Sequence, residues 1–149
     1  MTRQMLLLLC ALFVTATTVQ AENNPASIGL VKVATGDAAI LRDGRRIVAR
    51  PGTQLLQGDV LSTGAKGSMG VILRDDTLLS LGASSETHLE QFVFEPANHK
   101  LGLVVRVAHG VIGYLSGKIA KLAPGSVRLE TPVATLGVRG TYLVARIVP

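Results

Sequence analysis

Between Gly29 and Gly64 a glycine recurs every six to eight residues, at positions 29, 36, 44, 52, 58 and 64. Glycine is costly inside a helix and useful in a turn, so this punctuation leaves room for short extended segments and little else. The segments between the glycines alternate. Val31 and Val33 are interleaved with Lys32 and Ala34, and Ala38 and Ile40 lead into Arg42-Asp43-Gly44, after which Ile47 resumes the pattern. Asp-Gly between two alternating runs is a strong hairpin signal. Downstream, Met69, Val71 and Leu73 share one face, Asp75-Asp76 turns the chain, and Leu79 and Leu81 return. Leu101, Leu103, Val105 and Val107 alternate over a longer strand, with Lys100 and Arg106 opposite. Val111–Leu115, Val127–Leu129 and Tyr142–Val148 complete the set. Thr77–Leu81 is too short for a helix, and Leu115–Leu122 is interrupted by Gly117 and followed by Pro124. A period of two with glycine turns predicts an all-β chain, a small roll, solenoid-like stack or sandwich.

The N-terminus sets the expected compartment. Arg3 supplies a positive n-region, Met5–Val14 is an apolar run, and Val19-Gln20-Ala21 ends a small, polar stretch. That is the pattern of a secretory signal peptide, residues 1–21, with cleavage expected after Ala21. The run is well short of the roughly 20 residues that span a bilayer. Cys10 lies inside the apolar core, too early for a lipobox, and is the only cysteine. Export therefore leaves a chain with no disulfide and no thiol chemistry, whose stability has to come from a core. No transmembrane span is expected in the mature chain. Residues 22–27 read as a short linker and 28–149 as one β domain.

Charge is unevenly placed. Residues 22–96 carry seven basic and nine acidic side chains, whereas residues 97–149 carry seven basic and one acidic, a net +6. An anionic partner, an acidic envelope protein or another anionic envelope component, would bind the C-terminal half; the alternative is a solvated basic surface. Nucleic acid is disfavoured, because the exported part holds only four aromatics and no Trp to stack on bases.

The densest motif is Thr131–Thr141, T-P-V-A-T-L-G-V-R-G-T. Before it come G-D-A-A-I at Gly36–Ile40, L-L-Q-G-D-V-L-S-T-G at Leu55–Gly64, V-I-L-R-D-D-T-L-L-S-L-G at Val71–Gly82 and V-V-R-V-A-H-G-V-I-G at Val104–Gly113. In this order they resemble the FecR domain family over about Ile28 to Val148. The signature positions are Gly58, Asp59, Thr63 and Gly64 in the first motif, and Thr131, Pro132, Gly137, Arg139, Gly140 and Thr141 in the second. The family's central turn carries Asp-Gly where this chain has Asp75-Asp76. The resemblance implies a twisted, solenoid-like β unit on the periplasmic side of the inner membrane of Gram-negative bacteria. It implies an exported, non-enzymatic module for protein interaction or envelope binding, without a cofactor. The alternative it implies is a component of a cell-surface signalling complex that cuts itself at Gly140-Thr141. There the Thr141 hydroxyl would attack the Gly140 carbonyl in an N-to-O acyl shift. The structural alternative is that Gly140 turns the chain and Thr141 starts the last strand.

Other constellations are weaker. Arg139, set among Leu136, Val138 and Tyr142, is expected to cap carbonyls or to pair with an acid such as Asp59, holding the last strand to the body. Asp59 after a glycine is expected to accept backbone N–H groups in a turn. His88, His99 and His109 are spaced for no helical face, and no metal site is expected of them. Asp75-Asp76 lacks the periodicity of a calcium loop. The serines lack a nucleophile context, Glu86, Glu90 and Glu95 have too few aromatics around them for sugar hydrolysis, and Gly110–Gly117 lacks a phosphate-loop ending.

Overall fold

The computed structural model describes residues 25–140 and 142–148. The expected signal peptide (1–21), residues 22–24 of the expected linker, and Thr141 lie outside the described residues.

The chain is all-β: twelve strands form one sheet curled into a half-barrel, with almost no helix. In chain order they are β1 (Gly29–Thr35), β2 (Ala38–Arg42), β3 (Arg45–Val48), β4 (Gln54–Leu55), β5 (Val60–Thr63), β6 (Ser68–Leu73) and β7 (Leu78–Leu81). Then come β8 (Glu86–Glu95), β9 (Lys100–Leu115), β10 (Val127–Glu130), β11 (Thr135–Gly137) and β12 (Tyr142–Ile147). The order along the sheet is β3-β2-β5-β8-β9-β7-β6-β1-β4. The Asp43-Gly44 turn behaves as expected. Both residues have positive φ, 50° and 75°, and Arg42 faces Arg45 across a two-residue hairpin loop.

β9 is the spine. Its first half runs antiparallel to β8 and its second half antiparallel to β7, so β7 and β8 make one long arm against it. On its other side it carries β10, parallel, along the first half and β12, antiparallel, along the second. The two halves meet at Gly110, whose φ is 98° and whose position leaves no space for a side chain: a Cβ there would lie 2.2 Å from Ser85 Oγ. The curl comes from this corner and from irregularities in the β8 register at Glu86/Thr87 and Leu89/Gln91. Inside it, Val31, Ile40, Leu55, Leu61, Leu79, Leu89, Val105, Ile112 and Leu129 form one buried cluster.

Two expectations need correction. A bulge between Val31 and Val33 breaks the alternation of β1, so Val31 is buried while Val33 is 53% exposed and lies over Gly70. The stretch expected to be non-helical contains a one-turn helix, α1 (Lys118–Leu122), whose Ile119 is fully buried. Its support comes from Asp75, which is more than a turn residue. Asp75 is 0% exposed, its carboxylate accepts Thr77 Oγ1 (2.7 Å) and the Ile119 N–H (3.2 Å), and its carbonyl accepts the Lys118 N–H (2.6 Å). Asp76, beside it, takes a left-handed φ of 68° despite having a side chain.

Candidate functional site

The signature residues fall into two groups with different physical roles. The first surrounds β5. Gly58, with φ of 90°, leads into Asp59, which is 1% exposed. The Asp59 carboxylate accepts a forked pair of bonds from Arg42 (Nε to Oδ1 and Nη2 to Oδ2, both 2.8 Å) and the Leu56 N–H at 2.8 Å. The expected backbone acceptance is therefore present. The expected partnership with Arg139 is not formed, because Arg42 on β2 occupies the carboxylate. These hydrogen bonds raise the pKa of Arg42 above its ordinary value, against the lowering effect of burial. Thr63 Oγ1 donates to the Gly82 carbonyl (2.6 Å) and accepts the Ser85 N–H (3.0 Å), while the Gly64 N–H donates to the Asp37 carbonyl (2.8 Å). Asp59, Thr63 and Gly64 thus tie β5 to its neighbours, while Gly58 is exposed and borders, with Arg42 and Gln57, a hollow of 240 Å³.

Two of the histidines, His88 on β8 and His109 on β9, approach the same carboxylate. Glu86 Oε1 is 2.9 Å from His88 Nε2, and its Oε2 is 3.9 Å from His109 Nε2. His99 sits apart, at the tip between β8 and β9. Among the described residues no group of three or more His, Cys, Asp or Glu is placed to hold a metal ion.

The second group lies on the surface. Thr131 closes the β10–β11 turn: its N–H donates to the Ala134 carbonyl at 2.8 Å, and its hydroxyl lies 3.0 Å from that oxygen. Pro132 and Val133 project from this turn, Val133 being 92% exposed. From there to Gly140 only Val138 is buried, with its N–H on the Val127 carbonyl (3.2 Å). Gly137 and Gly140 have no left-handed φ, and among the described residues they have open space or ordinary contacts around them, with no close approach of another backbone. Arg139 is exposed and makes no ion pair or hydrogen bond among the described residues; it does not hold the last strand.

Arg139 and Gly140 border two hollows. One, of 440 Å³, is lined also by Ser116, Lys121, Pro124 and Val138, with two cations and no acid. The other, of 220 Å³, lies between β11 and β12 and is lined by Leu136, Gly137, Tyr142 and Leu143. Sequence reasoning missed Lys121 and Ser116 as part of this surface; the excess of basic residues after Ala97 was their only signal.

Among the described residues both strands beside the second hollow are sheet edges: β11 pairs only with β10, and β12 only with β9. The orientation of β12 follows from the ladder. The Val111 carbonyl accepts the Gly82 N–H and the Val111 N–H reaches Ser85 Oγ, so the backbone of Val111 points toward the β7–β8 arm. Its register partner is Arg146. By alternation, Leu143, Ala145 and Ile147 turn their backbone groups to β9, and Tyr142, Val144 and Arg146 turn theirs to the free edge. The side chains alternate in step. Leu143, Ala145 and Ile147 pack on the core, while Tyr142 and Val144 are 68% and 54% exposed.

No helix among the described residues is long and apolar enough to cross a membrane. No curated protein and no solved structure matches the chain. A family model described as FecR protein matches residues 59–147, which is more than half of the chain and includes the β9 spine and both edge strands. The chain belongs to the FecR family.

Proposed function

We propose that this FecR domain is an exported, non-enzymatic module that binds another protein of the cell envelope in the periplasm of a Gram-negative cell. The family consists of regulatory and signalling domains that typically face the periplasm, which supports both the compartment and a role through contact. The observation that carries the reading is the exposure of Leu136, Gly137, Arg139, Gly140 and Tyr142. Apart from Val138, the residues of the densest motif from Pro132 to Gly140 lie on the surface, beside two strand edges that no strand among the described residues pairs. A sheet edge that no element covers invites a partner strand. The signal sequence at residues 1–21 supports export, with cleavage after Ala21.

A photo-crosslinking residue in place of Val133, 92% exposed and next to β11, tests this in living cells. The expected result is a discrete adduct with one envelope protein, absent when the same residue replaces exposed Lys32 on β1. Recovery of the protein from the cytosol, or equal crosslinking from both positions, overturns the reading.

A further inference from the structure

We propose that the free edge of β12 takes up an extended, apolar segment of a partner protein as an added strand, with acidic residues flanking that segment bound by Arg139 and Lys121 at one end and Arg146 at the other. The inference rests on reading the chain as a protein-binding module and names the site and the chemistry of its partner.

Three observations converge on this edge. The backbone N–H and C=O groups of Tyr142, Val144 and Arg146 face away from β9, and no strand among the described residues meets them. A segment docked there completes a ladder that the fold leaves open. The apolar surface is also left open. Tyr142 and Val144 are largely exposed on the outer face, and Leu143, Ala145 and Ile147 on the inner face are only partly buried, with Leu136 and Leu143 bordering the hollow toward β11. An added strand with apolar residues at its centre covers both faces. Finally, the charges are distributed for an acid. Of the seven basic residues after Ala97, Arg106 pairs with Glu90 and Lys118 with Asp76; the other five have no ion pair among the described residues, and three of these, Lys121, Arg139 and Arg146, lie around β12. Arg139 and Lys121 line one hollow at the Tyr142 end, and Arg146 stands four residues further along the strand, about 13 Å away at strand rise. Carboxylates at the two ends of a short apolar stretch match that separation.

Charge decides among the occupants. A second copy of the chain pairing through β12 brings two sets of these three cations together with no acid between them. An anionic lipid surface answers the cations and leaves the backbone groups of the edge unpaired. An extended acidic and apolar segment answers both.

The test uses protein purified from the periplasm of expressing cells and three short capped peptides. One has a valine–threonine centre flanked by glutamates, the second replaces the glutamates with lysines, and the third carries N-methyl groups on alternate amides of the glutamate peptide. Binding is followed by NMR. The glutamate peptide is expected to bind, weaken with salt, and slow amide exchange at Val144 and Arg146. The lysine and N-methylated peptides are expected to bind at least about tenfold more weakly. Arg139→Glu should cost the glutamate peptide a similar factor, and Val144→Pro, which removes an outward N–H and no bond to β9, should abolish binding while the thermal transition is kept. Equal binding of all three peptides overturns the proposal, as do shifts that map to β3, or a concentration-dependent dimer protected along β12. Binding to anionic vesicles without binding of the glutamate peptide does so as well. A peptide that fails while the Val133 crosslink persists removes this site and leaves the protein-binding reading standing.

Discussion

The carboxylate of Asp59 is out of water and accepts three N–H groups, so removing it leaves the Leu56 N–H unpaired and Arg42 with only the Gln54 carbonyl. Asp59→Ala is expected to destabilise the domain by about 2 kcal/mol in urea denaturation, the scale of a buried donor left unpaired together with lost charge-assisted bonds. Arg139→Ala is expected to change stability by less than about 0.5 kcal/mol, because its guanidinium touches no acid. The two measurements reverse the ranking that the sequence invites. Both residues are visible in it as charges among apolar neighbours, but that Asp59 takes Arg42 and not Arg139 depends on β2 lying against β5, a pairing that no local pattern encodes. Tyr114 shows the same limit. Its ring is 1% exposed and its hydroxyl has no hydrogen-bond partner among the described residues; burial first, and the charge of Asp75 second, push its pKa up to about 12. In the unfolded chain the phenol ionises near 10. Between pH 10 and about 12 the unfolded state therefore holds fewer protons than the folded one, and stability falls as pH rises, by an amount of order 2 kcal/mol. Tyr114→Phe is expected to match the parent protein or exceed it near neutral pH, since it removes an unpaired buried hydroxyl, and to flatten the alkaline fall. Urea titrations at pH 8 and near pH 12 check both; an equally steep alkaline fall in the variant assigns the effect to other groups.

Among the elements, α1 is the least legible in the sequence. Its five residues carry too little periodicity to be seen, and Gly117 reads as a breaker because glycine ordinarily is one. In the fold Gly117 is where the chain passes closest to the β6–β7 turn: a Cβ on it would lie 2.3 Å from the Asp75 carbonyl and 2.4 Å from the Thr77 nitrogen. That approach lets Asp75 hold the start of α1 and places Ile119 in the core. Gly117→Ala is expected to cost about 2 to 3 kcal/mol, the scale of a forced backbone shift in a packed site. Faster exchange of the Lys118 and Ile119 amides should accompany the loss, and a variant with unchanged exchange shows that the contact does not anchor the helix. The β1 bulge was hidden for a related reason. Val31, Lys32 and Val33 read as plain alternation, and only the register against β6 reveals that Lys32 is the extra residue. Where pairing is local, as in the Asp43-Gly44 hairpin, sequence and structure agree.

For the molecule as a whole, period-two patterning was enough to establish an all-β chain, and it was silent on how the strands assemble. The sheet closes through contacts distant in sequence, such as β1 with β6 and β10 lying parallel to β9 across an intervening helix. A four-residue strand such as β10 carries no mark of parallel or antiparallel pairing. The same assembly bears on the question of self-cleavage. A break between Gly140 and Thr141 would free the segment that contains β12, yet β12 is registered against β9 from Tyr142–Leu115 to Ile147–Gly110 and would stay in place without the covalent link. Size under native conditions is therefore blind to the cut, and a denaturing measurement is needed. Gly140 lies exposed, with no left-handed φ, so its own backbone stores no left-handed strain to drive an acyl shift. Intact mass in denaturant, on protein taken from the periplasm, is expected to give a single species from Glu22 to Pro149. A mass ending at Gly140 establishes cleavage and turns β12 into a releasable strand, in which case the edge proposed here as a docking site would itself be part of the signal. A mass that begins at Met1 removes the exported setting on which the functional reading depends.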